Sequence, residues 1–464
     1  MNKEIKLKGG FRNSDFLGKD EVKPLIWKLA VPSIIAQVIN MLYNIVDRIY
    51  IGHISETGSL SLTGLGIAFP LIVFIGAFAN IIAMGASPKL SIALGKKDNE
   101  RAERIIGNSF LFLIIMALIL MGVIGVYKRS LLLAFGASIN TIEFADKYLS
   151  IYIIGTISVL LSIGMNSFIS AQGFTSKAMQ TVIIGAVLNI ILDPIFIFAL
   201  NLGVAGAAYA TIISQSVSAL WVLYFLTFGN SPLKLRIKNL KIDFKIFAPC
   251  LALGMAPFIM TSTESALVVV FNASLQNYGG DVAVGAMTIL SSVNNFVKMP
   301  MFGFDQGAQP VIGYNFGASN KKRMIEGVKF MFKINIIYAL IMFVSMEAFP
   351  HVYASIFTQD IELINYVNWS LRIYILAAGV FGLQIAVQYF LISTGQAKVS
   401  VGIAILRKLV LLIPLILILP NFFDNKVLAV FLAEPIADFI SVTYAIIMYK
   451  IISKRLYNDM DECV

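Results

Sequence analysis

Two polar residues interrupt the apolar stretch LNIILDPIFIF, which covers residues 188–198. Asn189 and Asp193 are four positions apart, so on a helix their side chains lie on one face. Carboxylate and amide oxygens are the hard ligands that a small hard cation prefers, and a carboxylate in a low dielectric can also hold a proton. A carboxylate at the centre of a membrane helix costs about 3 kcal/mol even on lenient insertion scales. The chemistry of this pair therefore depends on whether the stretch lies in a membrane.

The composition is that of a membrane protein. The chain has 464 residues, of which 58% are hydrophobic and only 13% are charged, whereas soluble proteins carry about 25% charged residues. Apolar runs of about 20 residues recur along the whole length, which is typical of a polytopic, all-α integral membrane protein. We predict twelve transmembrane helices, at about 26–50, 60–86, 104–126, 145–170, 178–200, 203–228, 246–277, 283–304, 326–348, 364–393, 397–420 and 427–452.

The basic residues behind the net charge of +10 follow a pattern that indicates the membrane topology. Basic residues concentrate in alternate loops, which predicts that both termini are cytoplasmic and argues against a nucleic-acid partner. Residues 1–24 are polar and basic, with no apolar signal segment, and are expected to form a cytoplasmic tail, as are residues 453–464. The basic loop residues are Lys89, Lys96, Lys97, Arg101 and Arg104, then Lys234, Arg236, Lys238, Lys241 and Lys245, then Lys321, Lys322 and Arg323.

The sequence offers no constellation for catalysis. Cys250 and Cys463 both fall on the predicted cytoplasmic side, where a disulfide is not expected. His53 and His351 fall in separate predicted outer loops, and no phosphate-binding Gly-Lys-Ser/Thr loop is present. We therefore expect no enzymatic activity and no cofactor. Any uphill work by this chain must draw on an ion gradient.

An internal repeat divides the chain. GASPKLSIALGKKDNER (85–101) aligns without gaps with GAQPVIGYNFGASNKKR (307–323). This predicts a six-helix lobe at 25–228, a cytoplasmic linker at 229–245 and a second lobe at 246–452. Because six is even, both halves have the same orientation and are related by a pseudo-two-fold axis along the membrane normal. The identical pairs are Gly85/Gly307, Ala86/Ala308, Pro88/Pro310, Gly95/Gly317 and Arg101/Arg323.

Such a duplication favours a transporter that works by rocking two bundles, although a channel or a membrane enzyme can carry a repeat as well.

Three stretches resemble the multidrug and toxic compound extrusion (MATE) family, and most of all its MepA-like branch: GYNFGAS at 313–319, LRKLVLLIPLILILP at 406–420 and AEPIADFIS at 433–441. The resemblance covers essentially the whole chain. It implies an efflux antiporter in the cell membrane, which exports varied, often cationic drugs in exchange for Na+ or H+.

The strongest candidate site is the coupling-cation site of the first half. Span 1 carries a polar stripe, Gln37, Asn40, Asn44 and Asp47, whose spacing keeps one helical face. Thr211 lies in span 6, which forms a hairpin with span 5. The resemblance matches Asp47, Asn189, Asp193 and Thr211 to the family's cation site; they would be metal ligands only if the ion is Na+. The alternative is that Asn189 and Asp193 bond neighbouring helices or backbone freed by Pro194.

Charged residues of the second half are expected to form a network, since each would be costly alone in the membrane. Its members are Glu264, Arg407, Glu434 and Asp438, with Lys298 as a further charge in span 8. A structural role and a role in drug binding or coupling are equally open for this network. Met and aromatic side chains suit promiscuous apolar cations, and the candidate drug-cavity residues are Met41, Met165, Phe168, Met260, Met287 and Phe296.

Three functions remain as alternatives. We expect a monomeric efflux antiporter in membrane lipid, with small-molecule drugs and organic cations as substrates. A lipid-linked oligosaccharide flippase would be expected to carry several Arg or Lys residues in its cleft, whereas the intramembrane charges of the first half are mainly acidic. An integral membrane enzyme would need a nucleophile or a metal constellation that the sequence does not offer.

Overall fold

The computed structural model describes residues 14–54 and 58–462. Every regular element in these ranges is a helix. Ten single spans and two bent pairs of helices make up the twelve spans α1–α12. Most of the predicted N-terminal tail and Cys463 lie outside the described residues. The spans are α1 (Val22–Gly52), α2 (Leu60–Gly95), α3 (Asn99–Ala134), α4 (Ile142–Ile154 with Thr156–Ala171), α5 (Thr175–Ala199), α6 (Val204–Thr227), α7 (Phe244–Gly280), α8 (Val282–Gly317), α9 (Lys321–Ala348), α10 (Ile361–Tyr374 with Ala378–Ser393), α11 (Ala397–Asn421) and α12 (Lys426–Glu462).

Ten of these helices are each long and apolar enough to cross a membrane, within the described part of the chain. The other two spans, α4 and α10, are pairs of shorter helices bent by 57° and 54°. They occupy equivalent places in the two halves, as a duplication requires. The predicted fold class, twelve transmembrane helices in two six-helix bundles, is confirmed.

Most boundaries lie within a few residues of the predicted ones, but α2, α3, α8 and α12 extend further, and α8 ends at Gly317 instead of at residue 304. The chain between the bundles runs from the end of α6 at Thr227 to the start of α7 at Phe244. This linker is anchored on α3, because Asn108 accepts a hydrogen bond from the backbone of Asp243 at 2.5 Å and a Cβ at Gly107 would overlap the backbone of Asn239. At the other end α12 continues through Glu462, so the described part of the predicted C-terminal tail is helical.

The repeated glycines lie where the two bundles meet. A Cβ at Gly95 of α2 would overlap the backbone of Tyr314 in α8, and a Cβ at Gly317 of α8 would overlap the backbone of Ile92 in α2. Tyr314 is the repeat equivalent of Ile92, so the contact is reciprocal, as a two-fold axis requires.

A second reciprocal contact flanks the first. Gly85 of α2 lies against the backbone of Gly254 in α7, and Gly307 of α8 lies against that of Ala30 in α1. Small residues let helix backbones approach closely in a membrane. We call the four repeat glycines, Gly85, Gly95, Gly307 and Gly317, the glycine seam; it joins the bundles at the ends where α2 and α8 enter basic loops.

Candidate functional site: two charged regions beside a central cavity

The first charged region lies in the N-terminal bundle, where α5 packs against both α1 and α6. Asn189 and Asp193 share one face of α5, and the Asn189 side-chain amide donates to Asp193 Oδ1 at 3.2 Å. Asp47 of α1 lies close enough to Asp193 for the two charges to interact. All three side chains are buried, with Asp193 fully so. The structure thus brings three of the four predicted cation ligands together.

These residues present oxygens that no protein group satisfies. Among the described residues, Asp47 Oδ1, Asn189 Oδ1 and Asp193 Oδ2 are buried and have no hydrogen-bond partner. Buried polar atoms without a partner are rare in native proteins, and each needs an explanation. The basic residue that acts on Asp47 is its sequence neighbour Arg48, whose guanidinium lies 4.7 Å from the centre of the Phe69 ring. The region therefore has oxygens available to bind an added proton or small cation.

The fourth predicted ligand, Thr211, lies on the cavity wall together with Asn189. Tyrosines that the sequence reasoning missed close the region from the cavity and from α4. The Tyr148 hydroxyl lies beside Thr211, and Tyr43 of α1 lines the cavity between the two acids and Gln215. Tyr43 follows Asn40 by three positions and precedes Asp47 by four, so the polar stripe of α1 was the signal that could have found it.

The rest of that stripe serves other purposes. Gln37 donates to Gln306 of the other bundle at 3.2 Å, and both Gln37 and Asn40 line the cavity. The Asn44 amide donates to its own helix, to the Asn40 carbonyl at 2.5 Å. Within the described ranges no group of three or more His, Cys, Asp or Glu side chains could hold a metal ion. Any Na+ here would therefore rely on amide, hydroxyl and carboxylate oxygens together.

The second charged region lies in the C-terminal bundle. Arg407 of α11 donates to Asp438 through Nε at 2.6 Å and to Glu434 through Nη2 at 2.8 Å, both on α12. All three are buried. Glu264 of α7, which the sequence reasoning grouped with Arg407, instead pairs with Lys408. The predicted network is thus divided into a cluster of three residues, Arg407 with Glu434 and Asp438, and a separate pair, Lys408 with Glu264.

Lys298 of α8 completes the second region. Its ammonium lies 4.2 Å from the centre of the Phe381 ring, and the Arg407 guanidinium lies 4.7 Å from the same ring. With Lys298 and Lys408 included, the region holds three cations and three carboxylates. Its charges are balanced by the protein itself.

A local change in helix geometry explains why Lys408 was missed. Residues Leu406–Leu412 form a π turn, in which hydrogen bonds span five residues instead of four. The wider turn allows both Arg407 and Lys408 to be buried, whereas a regular α-helix would direct neighbouring side chains about 100° apart. A similar π turn, Ile195–Ala199, follows Pro194 in α5, where the proline removes one backbone donor.

A cavity of about 750 Å³ lies between the two regions and beyond the glycine seam, and both bundles line it. This is within the size range of drug-binding pockets. All charged residues of its described wall belong to the C-terminal bundle: Glu264, Lys298, Arg407, Lys408 and Glu434. The N-terminal wall contributes hydroxyls and amides.

Of the six predicted drug contacts, Met260 and Met287 line the cavity. Met165 and Phe168 do not, because both are fully buried in helix packing. Met41 also lies off the wall, and Phe296 is 54% exposed on the outer surface of the bundle. A helix face cannot be assigned to cavity, core or lipid from apolar composition alone, which is why these four were misplaced.

Comparisons with known proteins agree with this architecture. The MatE family model matches residues 32–195 and 256–418, one segment in each bundle. The chain is 25% identical over 416 residues to the Multidrug export protein MepA of Staphylococcus haemolyticus (strain JCSC1435), covering 89% of this chain and 91% of the relative. It is 24% identical over 450 residues to that of Staphylococcus aureus (strain MRSA252), covering 97% and 98%.

Solved structures share the fold. A crystal structure of MATE in the bent conformation superposes with a TM-score of 0.90 at 22% identity, covering 97% of this chain and 99% of that one. An outward-facing multidrug resistance MATE family transporter of the MOP superfamily superposes with a TM-score of 0.88 at 21% identity, covering 97% and 100%. With its family match in both bundles, the chain belongs to the MatE family of multidrug export transporters.

Proposed function

We propose that this protein exports small, structurally varied and often cationic amphiphilic molecules from the cell in exchange for Na+ or H+. The observation that carries the proposal is the buried acid pair Asp47 and Asp193, which has unsatisfied oxygens and no paired cation among the described residues. The relatives' names, Multidrug export protein, support the substrate class.

The mechanism follows from the energy of the acid pair. Two carboxylates in a low-dielectric bundle are costly when both are charged, and a bound proton or cation removes that cost. Binding can drive a conformational change only if the ion's affinity differs between the two conformations. In this proposal Asp193 and Asp47 hold the coupling ion, and Asn189 and Thr211 contribute oxygens if the ion is Na+.

Drug and ion would then couple through the bundle. Asn189 and Thr211 lie on the cavity wall, whereas Asp47 and Asp193 lie behind it. A substrate in the cavity can therefore affect the acid pair through α5, α6 and Tyr43 without displacing the ion directly.

The orientation is part of the proposal. We place the protein as a monomer in the plasma membrane with both termini cytoplasmic, because the basic loops lie at the ends that the glycine seam closes. The described conformation is then closed to the cytoplasm. Cysteines introduced at Lys97 and Lys322 should resist an impermeant thiol reagent in whole cells and react after permeabilisation. Ready labelling of either residue in intact cells would mean that these loops lie outside the cell and that the proposed topology is wrong.

The charge of the cavity wall bears on the flippase alternative. Three basic residues face the cavity, as an anionic lipid carrier would require. However, Lys408 is paired with Glu264, and Arg407 with Glu434 and Asp438. Lys298 is the third cation, and the region as a whole is neutral only when Asp438, which lies off the wall, is counted with Glu264 and Glu434. The region therefore carries no net positive charge for a pyrophosphate group, and export of organic cations is the function better supported.

Transport in reconstituted vesicles tests the proposal. Dye efflux should respond to an imposed Na+ gradient or an imposed pH gradient, and the ion that drives it identifies the coupling. Asp424→Asn serves as a matched control, because Asp424 is an exposed acid in the turn between α11 and α12 that neither lines the cavity nor belongs to either charged region. A rate of dye efflux that is the same with and without either gradient would exclude the antiport mechanism.

A further inference from the structure

A third buried acid lies outside both charged regions. Asp305 belongs to α8 and is fully buried. Its Oδ1 accepts from the side-chain amide of Asn335 in α9 at 2.6 Å. Within the described residues, Asp305 Oδ2 and Asn335 Oδ1 have no hydrogen-bond partner. The arrangement repeats the chemistry of Asn189 and Asp193, an amide that donates to one oxygen of a buried carboxyl whose other oxygen is left without a partner.

No described basic side chain pairs with Asp305. Among the described residues, the carboxyl of Asp305 is affected by its burial away from water and by the hydrogen bond from the Asn335 amide. Lys333, the basic residue of α9 nearest to Asn335 in sequence, is exposed. From α10 the titratable group that faces Asp305 is Tyr389. On the other side of α8, Gly303 and Gly307 lie against the apolar residues of α1.

We propose that Asp305 is a second proton-binding site, in the C-terminal bundle, which takes up and releases one proton during the transport cycle. A proton fits better than a metal cation, because the two unsatisfied oxygens are far fewer than the six or so that hard metal ions collect. An ionised carboxylate at this position would have no counter-charge, so the site is neutral in the described conformation.

A purely structural role does not account for the arrangement. A carboxyl that holds helices together would use both oxygens, yet Oδ2 bonds to nothing in the described protein. Tyr389 faces Asp305 and also lines the central cavity. It therefore separates the carboxyl from the water-accessible space by one side chain, and the proton has a short route to the cavity.

The inference rests on the proposed function, because a proton cycle has a purpose only in a coupled transporter. It adds to that function a second, separate site, so that the two bundles each carry one buried acid centre without a cation. It predicts one more titrating proton per protein than the acid pair of the N-terminal bundle supplies.

Proton counting on the whole protein in lipid nanodiscs tests the site. We expect wild type to release one proton more than Asp305→Asn when the pH is raised from about 6, where an ordinary exposed Asp is already ionised, to alkaline pH, and Asp305→Glu to restore it. Asp424→Asn should match wild type. Equal proton release by wild type and a folded Asp305→Asn variant would overturn the proposal.

A measurement on the unmodified protein covers the case in which Asp305→Asn does not fold. Dicyclohexylcarbodiimide adds to carboxylic acids that are protonated in apolar surroundings, and peptide mass spectrometry locates the adduct. Labelling of Asp305 should be present at acid pH and fall as the pH rises. Labelling that is absent or independent of pH would refute the site.

The two proposals fail separately. If Asp193→Asn transports under both gradients while Asp305→Asn releases one proton fewer, the N-terminal coupling site is wrong and Asp305 stands. If Asp193→Asn loses transport and Asp305→Asn releases as many protons as wild type, the proposed function stands and Asp305 is structural.

Discussion

The two charged regions both bury carboxylates, but they differ in charge balance. In the N-terminal bundle, Asp47 and Asp193 are buried together, and the basic neighbour Arg48 lies against a phenylalanine ring instead of pairing with them. In the C-terminal bundle, three carboxylates meet three cations. A region that lacks a counter-charge must take one from outside, whereas a balanced region does not. In the proposed function, this difference makes the first region the ion-binding centre and the second a scaffold within one duplicated fold.

The largest effect should come from removing the acid pair. Asp193→Asn should reduce gradient-driven dye efflux to the level of vesicles without protein, because a neutral amide no longer binds the coupling ion. Asp47→Asn should behave likewise, and the double variant should be little worse than either single one, since residues that act as a unit are not additive.

Insertion and folding of these variants should be preserved, which size-exclusion profiles can check. Normal efflux by Asp193→Asn under either gradient would mean that the pair is structural and would make Glu264 the next candidate.

In the balanced region the expected loss is of stability. Arg407→Ala leaves Glu434 and Asp438 buried without a partner, and breaking a buried pair on one side costs about 3–5 kcal/mol. The apparent melting temperature in detergent should fall, while a variant that neutralises all three residues, Arg407→Met with Glu434→Gln and Asp438→Asn, should recover most of it.

If the neutral triple variant regains stability but not efflux, the network also takes part in transport. If Arg407→Ala melts like wild type, the charge balance has no structural role and the comparison between the regions fails.

A smaller effect is expected at the Glu264 and Lys408 pair. The Glu264 side chain is 56% exposed to the cavity, so solvent screens the pair and its contribution should stay below about 1 kcal/mol. Glu264→Gln should leave the melting temperature nearly unchanged and weaken binding of a cationic dye, measured by fluorescence polarisation. Unchanged dye affinity would exclude Glu264 as a substrate contact.

How far the sequence leads can be seen at particular residues. Hydropathy and the repeat predict the twelve spans and the two bundles, because these depend on composition averaged over many residues. The grouping of Asp47 with Asn189 and Asp193 needed the family resemblance as well as helical spacing. Asp305 was missed because span 8 was predicted to end at residue 304, whereas α8 runs on through Gly317.

The remaining errors have a similar local origin. Glu264 was grouped with Arg407 because depth in the membrane does not reveal which partner a side chain meets, and the π turn at Leu406–Leu412 brought Lys408 inward instead. The repeat did not help with Asp305 either, since its equivalent at the same offset is Ala83. Side-chain chemistry has diverged between halves whose backbones remain alike.

The glycine seam has a consequence for the origin of the fold. Gly95 contacts Tyr314, and Gly317 contacts Ile92, which is the repeat equivalent of Tyr314. The same contact therefore occurs twice, with the two halves exchanged. That is the rule of an isologous interface between two identical subunits. A single six-helix chain inserted twice in the same orientation would close through these glycines as a homodimer. Fusion of two such genes would then have kept the interface intact while freeing one copy's acids to change.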